Sequence, residues 1–134
     1  MEPLLYEHYR EIAHYHDIPL DPDWELYAAM DQADKPRLFT VRDDDRLIGY
    51  GVFFVNINRH YKSSLQALQD VFFLLPEYRG ARIGAQFIKY CDEQCKSEDI
   101  QVIYHHIKAA HDFGPLLINS GYELVDLIYA KRLD

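Results

Sequence analysis

The sequence predicts an α/β protein built on a mixed sheet, and three observations lead there. Apolar residues recur at helical spacing in some stretches and at strand spacing in others. One run, Leu68 to Leu75 (LQDVFFLL), is apolar on both alternating faces except at Gln69 and Asp70, which marks a strand covered on both sides and therefore central. That run breaks at Pro76-Glu77-Tyr78-Arg79-Gly80, and helical spacing resumes at Ile83, so a strand, a short glycine loop and a helix follow one another directly.

The elements follow in order. Leu4 to His16 sets Leu5, Tyr9, Ile12 and His16 on one face of a first helix, with Glu7, Arg10 and Glu11 elsewhere. A second helix starts at Asp21-Pro22-Asp23 and runs to about Ala33. There Asp21 can accept from unpaired backbone N–H groups, and Pro22 occupies a first-turn position whose donor is not needed. After Lys35-Pro36, the strand runs Leu38–Val41 and Leu47–Val55 flank the charged turn Asp43-Asp44-Asp45 and form a hairpin. The polar stretch Asn56–Ser64 leads into the central strand. Ile83–Cys95 is a helix with Ile83, Phe87, Tyr90, Cys91 and Gln94 at helical spacing. Ile100–Ile107 is strand-like, Phe113–Ser120 is a short helix stopped by Gly121, and Tyr122–Leu133 is a last strand. The apolar character of that last strand also suits pairing with another copy, as in a homodimer.

The 134 residues fit one domain, 1–134, and 49% hydrophobic content is ample for a core. No apolar stretch approaches the roughly 20 residues of a membrane helix, and Met1-Glu2-Pro3 lacks the basic start and apolar block of a secretory signal, so a cytoplasmic protein without membrane contact is expected. Twenty-two acidic against fourteen basic residues give a net charge of −8, which disfavours nucleic acid and suits a cationic partner such as an amine. Cys91 and Cys95, one helical turn apart, are too few for a disulfide framework and are expected as reduced thiols. The seven histidines, among them His60 and His111 in loops, form no zinc-spaced pattern, and no metal is expected.

Leu75 to Ala85 carries the chemistry. Backbone N–H groups at a helix start, unpaired within the helix and aligned with its dipole, attract an anion such as a pyrophosphate. Gly80 and Gly84 fit neither a Walker A loop nor GxGxxG, so ATP and NAD are poor matches. The segment resembles motif A of the GNAT superfamily of N-acetyltransferases, in which a central strand ends in a proline-containing turn and enters R/Q-x-x-G-x-G/A, here Arg79-Gly80-Ala81-Arg82-Ile83-Gly84. The resemblance covers most of the chain, including the helices and hairpin before the motif and Gly121-Tyr122 after the short helix. PEYRGARIG and DFGPLLINSGYE are most similar to the small GNAT proteins often encoded by tailed phages.

The resemblance implies a GNAT-like, mostly antiparallel sheet flanked by helices, with an acyl-CoA cleft between the central strand and Ile100–Ile107. It implies that acetyl-CoA lays its pyrophosphate on the amides of Arg79, Gly80, Ala81, Arg82, Ile83 and Gly84. Its pantetheine would then run past Phe73, Leu74 and Leu75 towards Leu117. Two positions depart from the family pattern. Arg82 replaces the middle glycine, keeping the backbone donor and adding a cation. Leu117 stands where many members place a tyrosine that protonates the departing thiolate. Either the thiolate leaves unaided, water or another side chain supplies the proton, or catalysis is lost.

Attack by an amine needs a base, because a lysine-like amine with a pKa of about 10.4 is charged near neutral pH. It also needs an oxyanion donor, for which a backbone N–H near Phe73 is suitably placed. Asp70 is the first candidate base, since a carboxylate on a strand apolar on both faces needs a partner or a use. Pairing with an arginine or a backbone group is the alternative. His111 and His60 are further candidates in loops, and Tyr61 is the acceptor-side contact. The expected activity is direct acetyl transfer from acetyl-CoA, without a covalent enzyme intermediate, to a small-molecule amine or a protein lysine. The rival is a GNAT-fold protein, catalytically weak or inactive, that binds a host or partner protein.

Overall fold

The computed structural model describes residues 23–57, 60–79, 82–107 and 113–134. The expected first helix, Leu4–His16, lies outside them, as do Asp21 and Pro22. Helix α1, Trp24–Gln32, begins two residues further on than Asp21 would set it: the cap is Asp23, whose carboxylate accepts from Leu26 N at 3.0 Å. Strands β1 (Pro36–Asp43) and β2 (Arg46–Ile57) form the expected hairpin, closed on Asp44-Asp45 with Asp44 in the left-handed region that Asp tolerates. Strand β3 spans Leu65–Leu74, starting earlier than the apolar run, and helix α2 spans Ile83–Ser97.

The sheet order is β1-β2-β3-β4, with two antiparallel pairings and a parallel one between β3 and β4, as the family pattern implied. Two expectations fail at its far side. Ile100–Ile107 contributes only Val102–Tyr104 as β4. Helix α3, Gly114–Asn119, is followed by no strand at all: Tyr122–Leu133 makes no ladder among the described residues, because β-branched and aromatic residues become a strand only where a neighbour completes the hydrogen bonds.

Alternation along β2 divides the core. Phe53 and Val55 join Ala67, Phe87, Cys91, Cys95 and Ile100 on the face covered by α2, while Ile48, Tyr50 and Val52 pack with Phe73, Leu74 and Leu75 on the other. The central strand is therefore less covered than its sequence suggested: on the face opposite α2, Leu68 is exposed and Asp70 is too. At Gly49 a side chain has no room, since a Cβ there would stand 2.8 Å from the Phe73 carbonyl oxygen, which is backbone and cannot turn aside. Gly49→Val is expected to destabilise the fold by about 1–3 kcal/mol, read as a lower midpoint in urea.

Candidate active site

The β3–β4 ladder ends at Leu68↔Tyr104, while β3 runs on to Leu74, so the two strands part beyond that rung. The Gln69 side chain occupies the parting point. Its Oε1 accepts from His106 N at 3.3 Å and lies 2.9 Å from His105 Nδ1. A carbonyl oxygen only accepts, so His105 carries its proton on Nδ1 and presents Nε2 as an acceptor. That Nε2 is buried with no hydrogen-bond partner among the described residues. The ring lies edge-on to Phe53, Phe72, Phe113 and Tyr122, with centroids 5.0–6.3 Å away. Burial, with a smaller push from His106, lowers its pKa to about 4.

One residue further on, the pairing of β3 with β2 slips. Val52 faces Val71 and Phe53 faces Gln69, so Asp70 is the extra residue of a β-bulge and has no partner across the ladder. It is exposed, which removes the burial cost that first singled it out. Among the described residues its partner is neither an arginine nor a backbone group: Tyr27 Oη, from α1, donates to Asp70 Oδ2 at 2.5 Å. Tyr27 in turn meets Phe54 at 5.9 Å and Trp24 at 6.0 Å, so a carboxylate and three rings share the face opposite α2. Burial, then the hydrogen bond and charge of Asp70, hold the Tyr27 phenol well above its ordinary range.

At the end of β3, Phe73, Leu74 and Leu75 bury their side chains, so only their backbone is available to a ligand. Pro76–Tyr78 makes a 3₁₀ turn, held by Tyr78 Oη donating to Asp43 Oδ2 at 2.7 Å. Arg79 folds back over it, its Nε donating to the Leu74 carbonyl at 2.7 Å and its guanidinium lying 5.5 Å from the Phe73 ring centroid. Arg79 thus fixes the turn. Gly80 and Ala81 lie outside the described residues. The first ladder bond of α2 runs from Gln86 N to Arg82 O, so Ile83, Gly84 and Ala85 have no acceptor within the helix, and no side chain caps it. The first turn holds no acidic residue, and Arg82 is exposed beside it. This donor set fits a diphosphate by its chemistry: aligned N–H groups, a helix dipole and a cation.

Gly84 serves packing as well, since a Cβ there would come 2.9 Å from Leu116 Cδ2 of α3. Leu117, next along α3, is buried and has no proton to give. His60 and Tyr61 are exposed, between β2 and β3, and His111 lies outside the described residues. Cys91 and Cys95 are free and buried between α2 and the sheet; burial pushes the Cys91 thiol far up and that of Cys95 to about 11, which leaves neither as a nucleophile. Among the described residues no group of three or more His, Cys, Asp or Glu is placed to hold a metal, and no helix is long and apolar enough to cross a membrane.

The sequence reading passed over Tyr27, Gln69 and His105. Tyr27 lies 43 residues from Asp70 and had no local signal, whereas Gln69, as the other polar residue of the central run, was visible but unused.

Comparison with known proteins agrees with this architecture. Residues 3–113 match the model of the Acetyltransferase (GNAT) family. No curated protein matches the chain. Among solved structures, an aminoglycoside acetyltransferase from an uncultured soil metagenomic sample, in complex with sisomicin, superposes with a TM-score of 0.71 at 12% identity, covering 98% of this chain and 86% of that one. The ribosomal-protein-alanine N-acetyltransferase of Brucella melitensis biovar Abortus 2308 gives 0.69 at 16% identity, with 98% and 89% covered. A predicted acetyltransferase from Clostridium acetobutylicum, solved with acetyl-CoA, gives 0.66 at 11% identity, with 98% and 84% covered. At these identities the likeness is one of fold.

Proposed function

We propose, because this chain belongs to the acetyltransferase (GNAT) family, that it transfers an acetyl group from acetyl-CoA directly to an amine in a ternary complex, with residues 1–134 acting as one cytoplasmic domain. The observation that carries the reading is Asp70 at the bulge of β3, turned to the face of Tyr27 and Trp24 just where β3 outruns β4. A bulge beside a parting of strands is a device for aiming one side chain out of a ladder.

The amides of Ile83, Gly84 and Ala85, with Arg82 beside them, would hold the diphosphate, and the coenzyme supplies the acyl group as a thioester. Gly80 and Ala81 complete the cradle in this reading, and Arg79 supports it by fixing the turn on the Leu74 carbonyl. The backbone near Phe73 donates to the charge that develops on the acyl oxygen. Asp70 takes the proton of the incoming ammonium, and Tyr27 keeps the carboxylate oriented through its hydrogen bond. The rings of Trp24, Tyr27 and Phe54 give a cation a favourable surface, with His60 and Tyr61 as further acceptor-side residues. His111 stands as a second proton acceptor. With Leu117 apolar, the thiolate leaves unaided or takes its proton from water or another side chain.

The soil and Brucella proteins are named for an aminoglycoside and for a ribosomal-protein alanine, and we extend to this chain only what these share, an amine acceptor. Incubation with radiolabelled acetyl-CoA, a panel of polyamines, aminoglycosides and lysine peptides, and cell extract tests the activity. Label in at least one amine product is expected. CoA binding with no acetylated product anywhere would favour the partner-binding alternative. Tyr27→Phe keeps the ring contacts and removes one hydrogen bond; it is expected to lower kcat about tenfold or less, with a melting temperature close to that of the parent.

A further inference from the structure

Gln69 and Asp70 are the two polar residues of the central run, and the proposed reaction uses only the second. Gln69 is half-buried on the face of β3 covered by α2, opposite Phe53 of β2. Towards β4 it stands at the first position without a rung. The parallel pairs Gln66↔Val102, Ala67↔Ile103 and Leu68↔Tyr104 would continue at the same offset as Gln69 with His105 and Asp70 with His106, yet the ladder stops. Neither glycine nor proline interrupts 65–74 or 102–107, so no backbone breaker ends the pairing.

The side chain of Gln69 does end it. The N–H of His106 points at β3, where a continued ladder would offer it a main-chain carbonyl. The side-chain carbonyl of Gln69 takes it instead, at 3.3 Å. A backbone N–H only donates, so the atom it meets is the amide oxygen, and the same oxygen accepts from His105 Nδ1 at 2.9 Å. So held, the imidazole packs edge-on against Phe53 and Phe72, with centroids 5.4 and 5.1 Å away, and a closer approach of β4 would press it into both rings. The bulge at Asp70 bends β3 as well, but it lies in the pairing with β2 and gives the His106 N–H no acceptor.

We infer that Gln69 is a positioning residue whose side-chain carbonyl stands in for the next main-chain acceptor and so holds β3 and β4 apart, keeping open the cleft for the acyl end of the coenzyme; this rests on acetyl-CoA occupying that cleft. Without the carbonyl, His106 N and His105 Nδ1 lose their acceptor, and leaving such donors unpaired is costly. The nearest replacement is the main chain of β3. Taking it zips the strands by at least one more rung and brings them to ladder spacing, about 4.8 Å, which admits nothing between them.

Gln69→Leu keeps the bulk and removes the carbonyl. In the parent protein without coenzyme, nuclear Overhauser contacts between β3 and β4 are expected to stop at Leu68 and Tyr104, and in the variant to run on to Asp70 and His106. Calorimetry is expected to show acetyl-CoA bound about ten- to a hundredfold more weakly by the variant. Gln69→Glu, whose carboxylate accepts from the same two donors, is expected to recover most of that loss. A merely structural Gln69 would lower the melting temperature of the variants and leave the affinity alone. Should Gln69→Leu misfold, Gln69→Ala removes the same carbonyl without apolar bulk and is read in the same way. A folded variant whose contacts still stop at Leu68 and Tyr104, or whose affinity for acetyl-CoA equals the parent's, overturns the inference and leaves the acetyl-CoA reading standing. A parent protein that binds no acetyl-CoA overturns that reading, and the inference falls with it.

Discussion

Asp70→Asn is expected to lower kcat/KM for acetyl transfer by roughly 10²- to 10⁴-fold at neutral pH, the range over which a positioned general base contributes. The expectation follows from where the side chain is. Asp70 is the unpaired residue of the bulge, exposed, and held by a single described hydrogen bond from Tyr27. Asparagine keeps the size and can still accept from Tyr27 through its amide oxygen, so α1 stays tied to the sheet and stability should change by no more than about 1 kcal/mol. What it loses is the capacity to take a proton. The defect should therefore shrink as pH rises towards the acceptor's own pKa, about 10.4 for a lysine-like amine, where the amine arrives already neutral. A purely structural Asp70 gives another pattern, with kcat/KM unchanged or a loss that is constant across pH.

The second large effect is on stability in acid. As pH falls from about 6.5 to about 4, the fold is expected to lose up to about 3 kcal/mol through His105 alone. The sign comes from the depressed pKa. Above about 6.5 the imidazole is neutral in both folded and unfolded chains, and the contribution is fully present. Between the two values the unfolded chain takes up a proton that the folded one refuses, because the ring is enclosed by Phe53, Phe72, Phe113 and Tyr122 and its Nε2 meets no acceptor among the described residues. Below about 4 both are protonated and the contribution is gone. Asp92 acts in the opposite direction at the acid end, since burial pushes its carboxyl up against the pull of the Tyr122 hydroxyl. His105→Phe isolates the histidine: its urea midpoint should vary less between pH 6.5 and pH 4 than that of the parent, and equal slopes would remove His105 from the account.

Much of the fold was readable because its signals are local. The charged turn at Asp43–Asp45 fixed the hairpin, and the break at Pro76 followed by the spacing from Ile83 fixed the end of the central strand and the start of α2. The cradle for an anion could be read for the same reason, since a helix start needs only its own backbone. What escaped depends on pairing across the chain. A bulge is a mismatch between two strands, and the sequence of β3 alone does not show that Asp70 is the residue left over. Its apolar neighbours suggested burial, whereas α1 and the sheet leave the carboxylate exposed. The last strand failed for a related reason: Tyr122–Leu133 has strand composition but pairs with no strand among the described residues, and propensity alone makes no ladder.

The account rests on the first turn of α2 binding the diphosphate of acetyl-CoA, and amide-resolved NMR during a titration with acetyl-CoA tests it most directly. Saturable shifts are predicted, largest at Ile83, Gly84 and Ala85, the three amides with no acceptor in the helix. Saturation with those three amides unmoved, or no shift at any coenzyme concentration, would contradict it.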